Sequence, residues 1–389
     1  MSAIRPVIAG LGMTEMGKVY GRTTREFGTQ AVQLAAADAG IPVSAIDGLL
    51  INAGATNDIG LGLAQDLGLE DLSMLAEVQQ YGSSAGAMIM YAAHAIEHGL
   101  ATTVACVFAD TPLKEGVSAG AAYGGGRRAP QGWGGLSAVG GAGSTAVMYA
   151  LAARRHMDRF GTTNEHFGRI AVAQREWAAL NPLAQMQKPM SMEDYHSSRW
   201  IAEPFHLLDC CLVSNGGVAI IVTSADRATD MAQPPVPLLG YAQSHPGRSM
   251  RSDDDFGIST GAVTAGPKAL AMAGVTLDDI DVAQLYDCFT FTVLVSLEDY
   301  GFCAKGEGGD FVSQEGLLGP NGRLKLNTGG GELSGYYMWG MTPLTEGVMQ
   351  ARGTAGERQV EKFDHVLVSG NGGVLDHHAS LVLGSAATL

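Results

Sequence analysis

Two segments carry side chains suited to moving protons: Tyr286-Asp287-Cys288-Phe289 and the pair Tyr336-Tyr337. A phenol with an ordinary pKa near 10 is neutral at pH 7, a poor nucleophile and a good hydrogen-bond donor. It becomes a serviceable proton shuttle when its pKa is lowered. Asp376-His377-His378 follows a glycine loop, and a neutral imidazole there is a candidate base, the plainer alternative being a polar turn before a strand. Asp287 reads as a cap for the following helix or as a group orienting a neighbour. Glu332 reads as an acid/base or an exposed loop carboxylate. Cys288 is a candidate nucleophile or, more simply, a packing thiol. Ser83 has no local base to activate it, and with Ser84 it also suits a helix N-cap. The five cysteines are odd in number with no CxxC spacing, so neither a disulfide framework nor a metal site is expected.

These groups must be positioned by a repeated unit. Residues 40–52 (GIPVSAIDGLLIN) and 274–286 (GVTLDDIDVAQLY) each follow an Ala-rich helical stretch that ends at a glycine, then turn into an apolar strand. A second pair matches Val213-Ser214-Asn215-Gly216-Gly217-Val218 with residues 368–374 (VSGNGGV); each precedes an apolar strand. Near-continuous apolar strands between helical stretches predict sheets covered on both faces. The halves run from 1 to about 225 and from about 235 to 389, joined by Pro234-Pro235-Val236-Pro237. An insertion at about 110–205 lengthens the first half and holds a helical stretch from about Ser144 to Arg159. The reading is an α/β chain with a sheet in each half and pseudo-twofold symmetry.

Composition narrows the function classes. With 46% apolar and 16% charged residues the chain is a well-buried globular protein. Its 54 glycines fall in clusters at 124–126, 134–143, 329–331 and 370–373, which predicts tight turns and close backbone approaches. A net charge of −15 argues against nucleic acid and anionic membranes. No apolar run reaches the roughly 18 residues of a membrane helix, and no signal-peptide pattern opens the chain. A cytoplasmic location is expected.

Four segments, in order along the duplicated chain, resemble the thiolase superfamily in its lipid-transfer-protein branch. They are residues 81–87 (YGSSAGA), 207–216 (LLDCCLVSNG), 286–289 (YDCF) and 327–331 (NTGGG) with its continuation to Gly340. The resemblance implies a thiolase fold of five αβαβα layers, dimerisation through the first half and a coenzyme A thioester as substrate, with no cofactor bound. It also places Gly82, or Ser83 after a one-residue shift, where a thiolase has its nucleophilic cysteine at a helix N-terminus. No cysteine follows Cys303, so the family's second thiol is missing too. The family's histidine falls on Tyr337, with Tyr336 as the fallback, and its His-Asp-Cys-Phe motif reads Tyr286-Asp287-Cys288-Phe289.

Two histidines replaced by tyrosines, with both cysteines gone, resemble the steroid side-chain aldolases of this branch. The resemblance implies retro-aldol cleavage of a bulky 3-hydroxyacyl-CoA, a 17-hydroxy C22 steroid-CoA yielding a 17-ketosteroid and propionyl-CoA. It assigns catalysis to Tyr286 and Tyr337 only; His377 and His378, from their place after the glycine loop, stay as base candidates. Gly82, Ser83, Gly372, Gly373 and Tyr336 would bound the substrate. It further implies a heterotetramer with an OB-fold, zinc-ribbon partner, attached to or co-expressed with a hydratase. Two other readings stay open: an acyltransferase using Ser83 or Cys288, and a non-catalytic acyl-CoA or lipid-binding scaffold.

Overall fold

The computed structural model describes residues 4–122, 135, 139–247 and 256–389; the glycine cluster at 124–126 and part of that at 134–143 lie outside the described residues. The first repeat is a repeat of structure. Helix Thr24–Ala39 ends at Gly40, whose φ of 73° puts its N–H on the Ala36 and Ala37 carbonyls. Helix Ala262–Ala273 ends the same way at Gly274, φ 71°, on Leu270 and Ala271. Only glycine adopts this left-handed cap without a Cβ penalty. Each cap leads through a short turn (Val43–Ala45, Leu277–Asp279) into a strand.

The strands are β1 (Pro6–Met13), β2 (Gly48–Asn52), β3 (Met74–Glu77), β4 (Thr103–Asp110), β5 (Trp200–Ala202), β6 (Phe205–His206), β7 (Gly216–Ser224), β8 (Val236–Ser244), β9 (Val282–Gln284), β10 (His365–Gly372) and β11 (His377–Gly384). Apart from the β5-β6 ribbon they follow the order β3-β2-β4-β7-β1-β8-β11-β10-β9. The first half pairs β2 with β4 in parallel, then β4-β7 and β7-β1 antiparallel. The second half repeats this with β9-β10 parallel, then β10-β11 and β11-β8 antiparallel. A parallel bridge from Ala283 to Leu326 occupies the place that β3 holds beside β2.

Three sequence expectations are corrected. The two half-sheets are hydrogen-bonded to each other through Val7-Pro237 and Ile8-Val236. Val236 and Pro237 therefore belong to β8, and only the two preceding prolines act as a connector. The second repeat is out of phase: β7 and β11 are equivalent, but Val368–Gly372 closes β10 whereas Val213–Asn215 is a loop entering β7. A short Val-Ser-Gly-rich string recurs easily in a chain so rich in glycine, and alternation alone does not fix its register.

Alternation along the strands builds the layers. Val218, Ile220 and Val222 of β7 share a core with helices Ser84–Glu97 and Met341–Arg352, and so do Leu381 and Leu383 of β11. Ala219 and Ile221 face the opposite way, toward helix Thr24–Ala39. Val382 joins helices Ala262–Ala273 and Thr290–Tyr300. Helix, sheet, central helices, sheet, helix is the five-layer order expected from the resemblance. Within the insertion, helix Thr145–Phe160 starts at the Ser144 cap and packs with helix Asn164–Ala179 over Phe289 and Phe291. No described helix is long and apolar enough to cross a membrane.

Candidate active site

The site forms where three glycine-bearing loops approach more closely than side chains permit. The Tyr81–Ser83 turn leads into the central helix Ser84–Glu97. A Cβ at Gly82 would overlap the Tyr286 ring and the Asn371 carbonyl. Gly340 and Gly372 also press on the backbone of residues 80–82, and a Cβ on either would collide with it. The position expected for a nucleophile is thus filled by a neighbour's phenol.

Tyr286 lies between β9 and helix Thr290–Tyr300. Asn327 holds this segment at both faces, accepting from Leu285 N–H (2.7 Å) and donating to its carbonyl (2.9 Å). Thr292 Oγ1 donates to the Tyr286 carbonyl at 3.1 Å. Tyr337 is anchored from the first half, its N–H donating to Ser214 Oγ at 3.0 Å. The two phenols meet, Oη to Oη, at 3.2 Å. Tyr286 is buried and Tyr337 half-buried, so the pair has a closed end and an open end.

The electrostatics correct one expectation. Burial, followed by the neighbouring Glu332 carboxyl and Tyr337 phenol, pushes the Tyr286 phenol well above its usual range. Tyr286 therefore rests protonated and is not acidified. Glu332 is not an exposed loop carboxylate: it is fully buried, and neither carboxylate oxygen has a hydrogen-bond partner. Burial, reinforced by Asp287, holds it well above the carboxylate range, so it is kept neutral. Asp287 does not cap the following helix. Its carboxylate accepts from the Glu332 and Leu333 N–H groups at 2.9 and 3.1 Å, closing the π-turn Gly331–Gly335. Burial pushes Asp287 up to about 7. The chain alone signals this poorly, because Gly-Gly-Gly-Glu reads as an open loop.

The remaining candidates separate. Ser83 is buried, and its hydroxyl donates to the Gln80 carbonyl at 2.8 Å. Ser84 Oγ accepts from Gln80 N–H, so neither serine caps the helix with its side chain. Burial pushes the Cys288 thiol well up, with Glu332 and Asp287 adding to it, which suits packing rather than attack. Tyr336 is a core residue bonded to Thr345 Oγ1 at 2.6 Å, leaving Tyr337 as the tyrosine that meets Tyr286. His378 is fully buried and bonded to Tyr300 Oη at 2.9 Å, and burial lowers it to about 3. It shares that face of β11 with Ser380, which also bonds Tyr300, whereas Ala379 between them packs on Gly86 of the central helix. The ring thus points away from Gly82 and the tyrosine pair. His377 is half-buried, its ring stacked on Tyr81 and bonded to His245 at 3.0 Å. Gly372 packs on Gln80 and Tyr81, and Gly373, φ 64°, turns the chain beside His377.

Sequence reasoning missed Tyr149, in the insertion helix, whose ring lies 4.9 Å from Phe289 and whose hydroxyl bonds Cys288. It also missed Tyr81 and Trp339, which hold φ of 53° and 49° with rings 6.1 Å apart beside the site. Non-glycine residues in that conformation are uncommon and concentrate at functional sites.

The layered, duplicated fold and the four motif positions define a thiolase-superfamily chain, and residues 242–385 match the thiolase C-terminal domain-like family model. The steroid side-chain-cleaving aldolase of Thermomonospora curvata is 38% identical, over 97% of each chain. The 17-hydroxy-3-oxo-4-pregnene-20-carboxyl-CoA lyase of Mycobacterium tuberculosis is 37% identical, over 94% of this chain and 96% of its own. A solved structure, the Ltp2-ChsH2(DUF35) aldolase, superposes with a TM-score of 0.86 at 36% identity, covering 99% of both chains. This chain belongs to that family, the aldolase members of the lipid-transfer-protein thiolase branch.

Proposed function

We propose that the chain catalyses retro-aldol cleavage of a 17-hydroxy C22 steroid-CoA, releasing a 17-ketosteroid and propionyl-CoA. The observation that carries this reading is the contact between Tyr286 and Tyr337 over a glycine that leaves no room for a thiolate. The reaction moves one proton from the C3 hydroxyl to the α-carbon, C2, as the C2–C3 bond breaks, so a pair of touching phenols suffices. Tyr337, at the open end, takes the hydroxyl proton as it passes its own to Tyr286, whose own proton goes to the α-carbon in the same relay, so neither phenol ever holds two protons. The C2–C3 bond breaks, C3 becomes a ketone and the thioester becomes an enolate. Tyr286 protonates the enolate carbon, and the pair returns to its starting state. The N-terminus of helix Ser84–Glu97 favours the transient negative charge. Gly82, Ser83, Gly372 and Gly373 bound the acyl site, and His377 stands at its mouth.

The acyltransferase reading loses support from the engaged Ser83 hydroxyl and the suppressed Cys288 thiol. The relative solved with a DUF35 chain supports a partner of that kind, and the edge of β3, unpaired among the described residues and with Leu75 exposed, suits a homodimer through the first half. We assign the assembly to the cytoplasm. The test is to co-express the chain with a DUF35-type partner and supply the steroid-CoA without free coenzyme A. Propionyl-CoA and ketosteroid should appear in equal amounts and resist iodoacetamide. Product formation that needs free coenzyme A, or a trapped acyl-enzyme, would sink the aldolase reading.

A further inference from the structure

We propose that His94, Glu97 and His98 form a binding site for a divalent transition metal of the zinc type, at the end of the central helix remote from the tyrosines. The sequence reading foresaw no metal site, since it weighed only cysteine spacing. Yet His94-Ala95-Ile96-Glu97-His98 places two imidazoles at i and i+4 on one helical face, with a carboxylate beside them. In the folded chain one donor atom from each residue lies within 4.8 Å of the others, the only such cluster among the described residues.

The support behind these ligands distinguishes the cluster from a chance surface grouping. His98 Nδ1 is 2.9 Å from the His94 carbonyl, which can only accept. Nδ1 must therefore carry the proton, and Nε2 presents its lone pair. Metal-binding histidines are commonly oriented by such an N–H to carbonyl bond. Glu97 is held in the same manner, one carboxylate oxygen accepting from Tyr241 Oη at 2.8 Å while the other faces His94 Nδ1 at 3.3 Å. The Tyr241 ring also packs edge-on against His94, centroids 5.3 Å apart. Tyr241 belongs to β8, so the ligands from the first half are braced by the second.

Two imidazoles and a carboxylate match the borderline character of Zn²⁺ and leave a fourth, water-filled position. All three residues are at least partly exposed, so the ion has an entry path. The site would bind whether or not the aldolase reading holds, and its test needs no steroid.

Tag-free protein stripped with chelator and titrated with Zn²⁺ should take up one equivalent with low-micromolar affinity or better. His94→Ala and His98→Ala should each weaken binding at least tenfold, and Tyr241→Phe by less. Co²⁺ in place of zinc should give a visible absorption band that the histidine variants lose. Because both imidazoles are exposed, the variants should melt as wild type does without metal. One equivalent still bound by the double variant His94→Ala/His98→Ala, or wild-type affinity no better than that of the variant, overturns the proposal.

Discussion

At the scale of single residues the site divides into proton carriers and proton keepers. If Tyr286 and Tyr337 relay the proton, Tyr286→Phe and Tyr337→Phe should each cut kcat/KM by about 10²–10⁴-fold, the usual share of general acid–base catalysis. The fold should persist, because each change removes one oxygen. Steroid-CoA turnover and circular dichroism check this, and wild-type turnover in both variants would remove the tyrosines from the mechanism. The keepers are Glu332 and Asp287, both of which hold protons longer in the fold than in the unfolded chain. A raised carboxyl pKa contributes stability below the unfolded value and loses it as pH rises toward the folded value. For Asp287 that loss runs from about 4 to about 7. Glu332→Gln keeps the shape without the titration, so it should melt higher than wild type at pH 8, with the gap shrinking at pH 5. Thermal melts at the two pH values decide it. A lower melt at pH 8 would show that the carboxylate is needed charged. None of this was legible in the sequence, which cannot report that Asp287 reaches forty-five positions along the chain to seal Glu332 in.

Elements succeed or fail by how closely they approach. The repeat at residues 40–52 and 274–286 was readable because helix, left-handed glycine and strand are local instructions, each written within a dozen residues. The shift of the second repeat was not, since strand register depends on partners far away in sequence. The two adjacent histidines make the same point. Once β11 is placed, alternation sends His378 into the Tyr300 layer and leaves His377 against Tyr81, but the sequence does not say where the strand begins. The turn before helix Ser84–Glu97 depends on Gly82 having no side chain. Gly82→Ala should cost at least the roughly 1–3 kcal/mol of an overpacked core, because it meets a ring and a carbonyl together. Denaturant midpoints measure this, and an unchanged midpoint would show that the loops yield.

For the whole molecule, two half-sheets joined by two residue pairs make one body whose halves contribute unlike parts. The first half supplies Gly82, Ser83 and the Ser214 anchor, while the second supplies both phenols. The exposed edge at β3 predicts a dimer in sedimentation velocity, and Leu75→Arg should shift it to monomer. A wild-type monomer would place no interface there. The closeness of Gly82 to Tyr286 also constrains which substitutions the site can take. A cysteine placed at position 82 alone would collide with the phenol, and a smaller residue at 286 alone would leave a hole. The contact works as an interlock: the two positions tolerate exchange together and resist it singly.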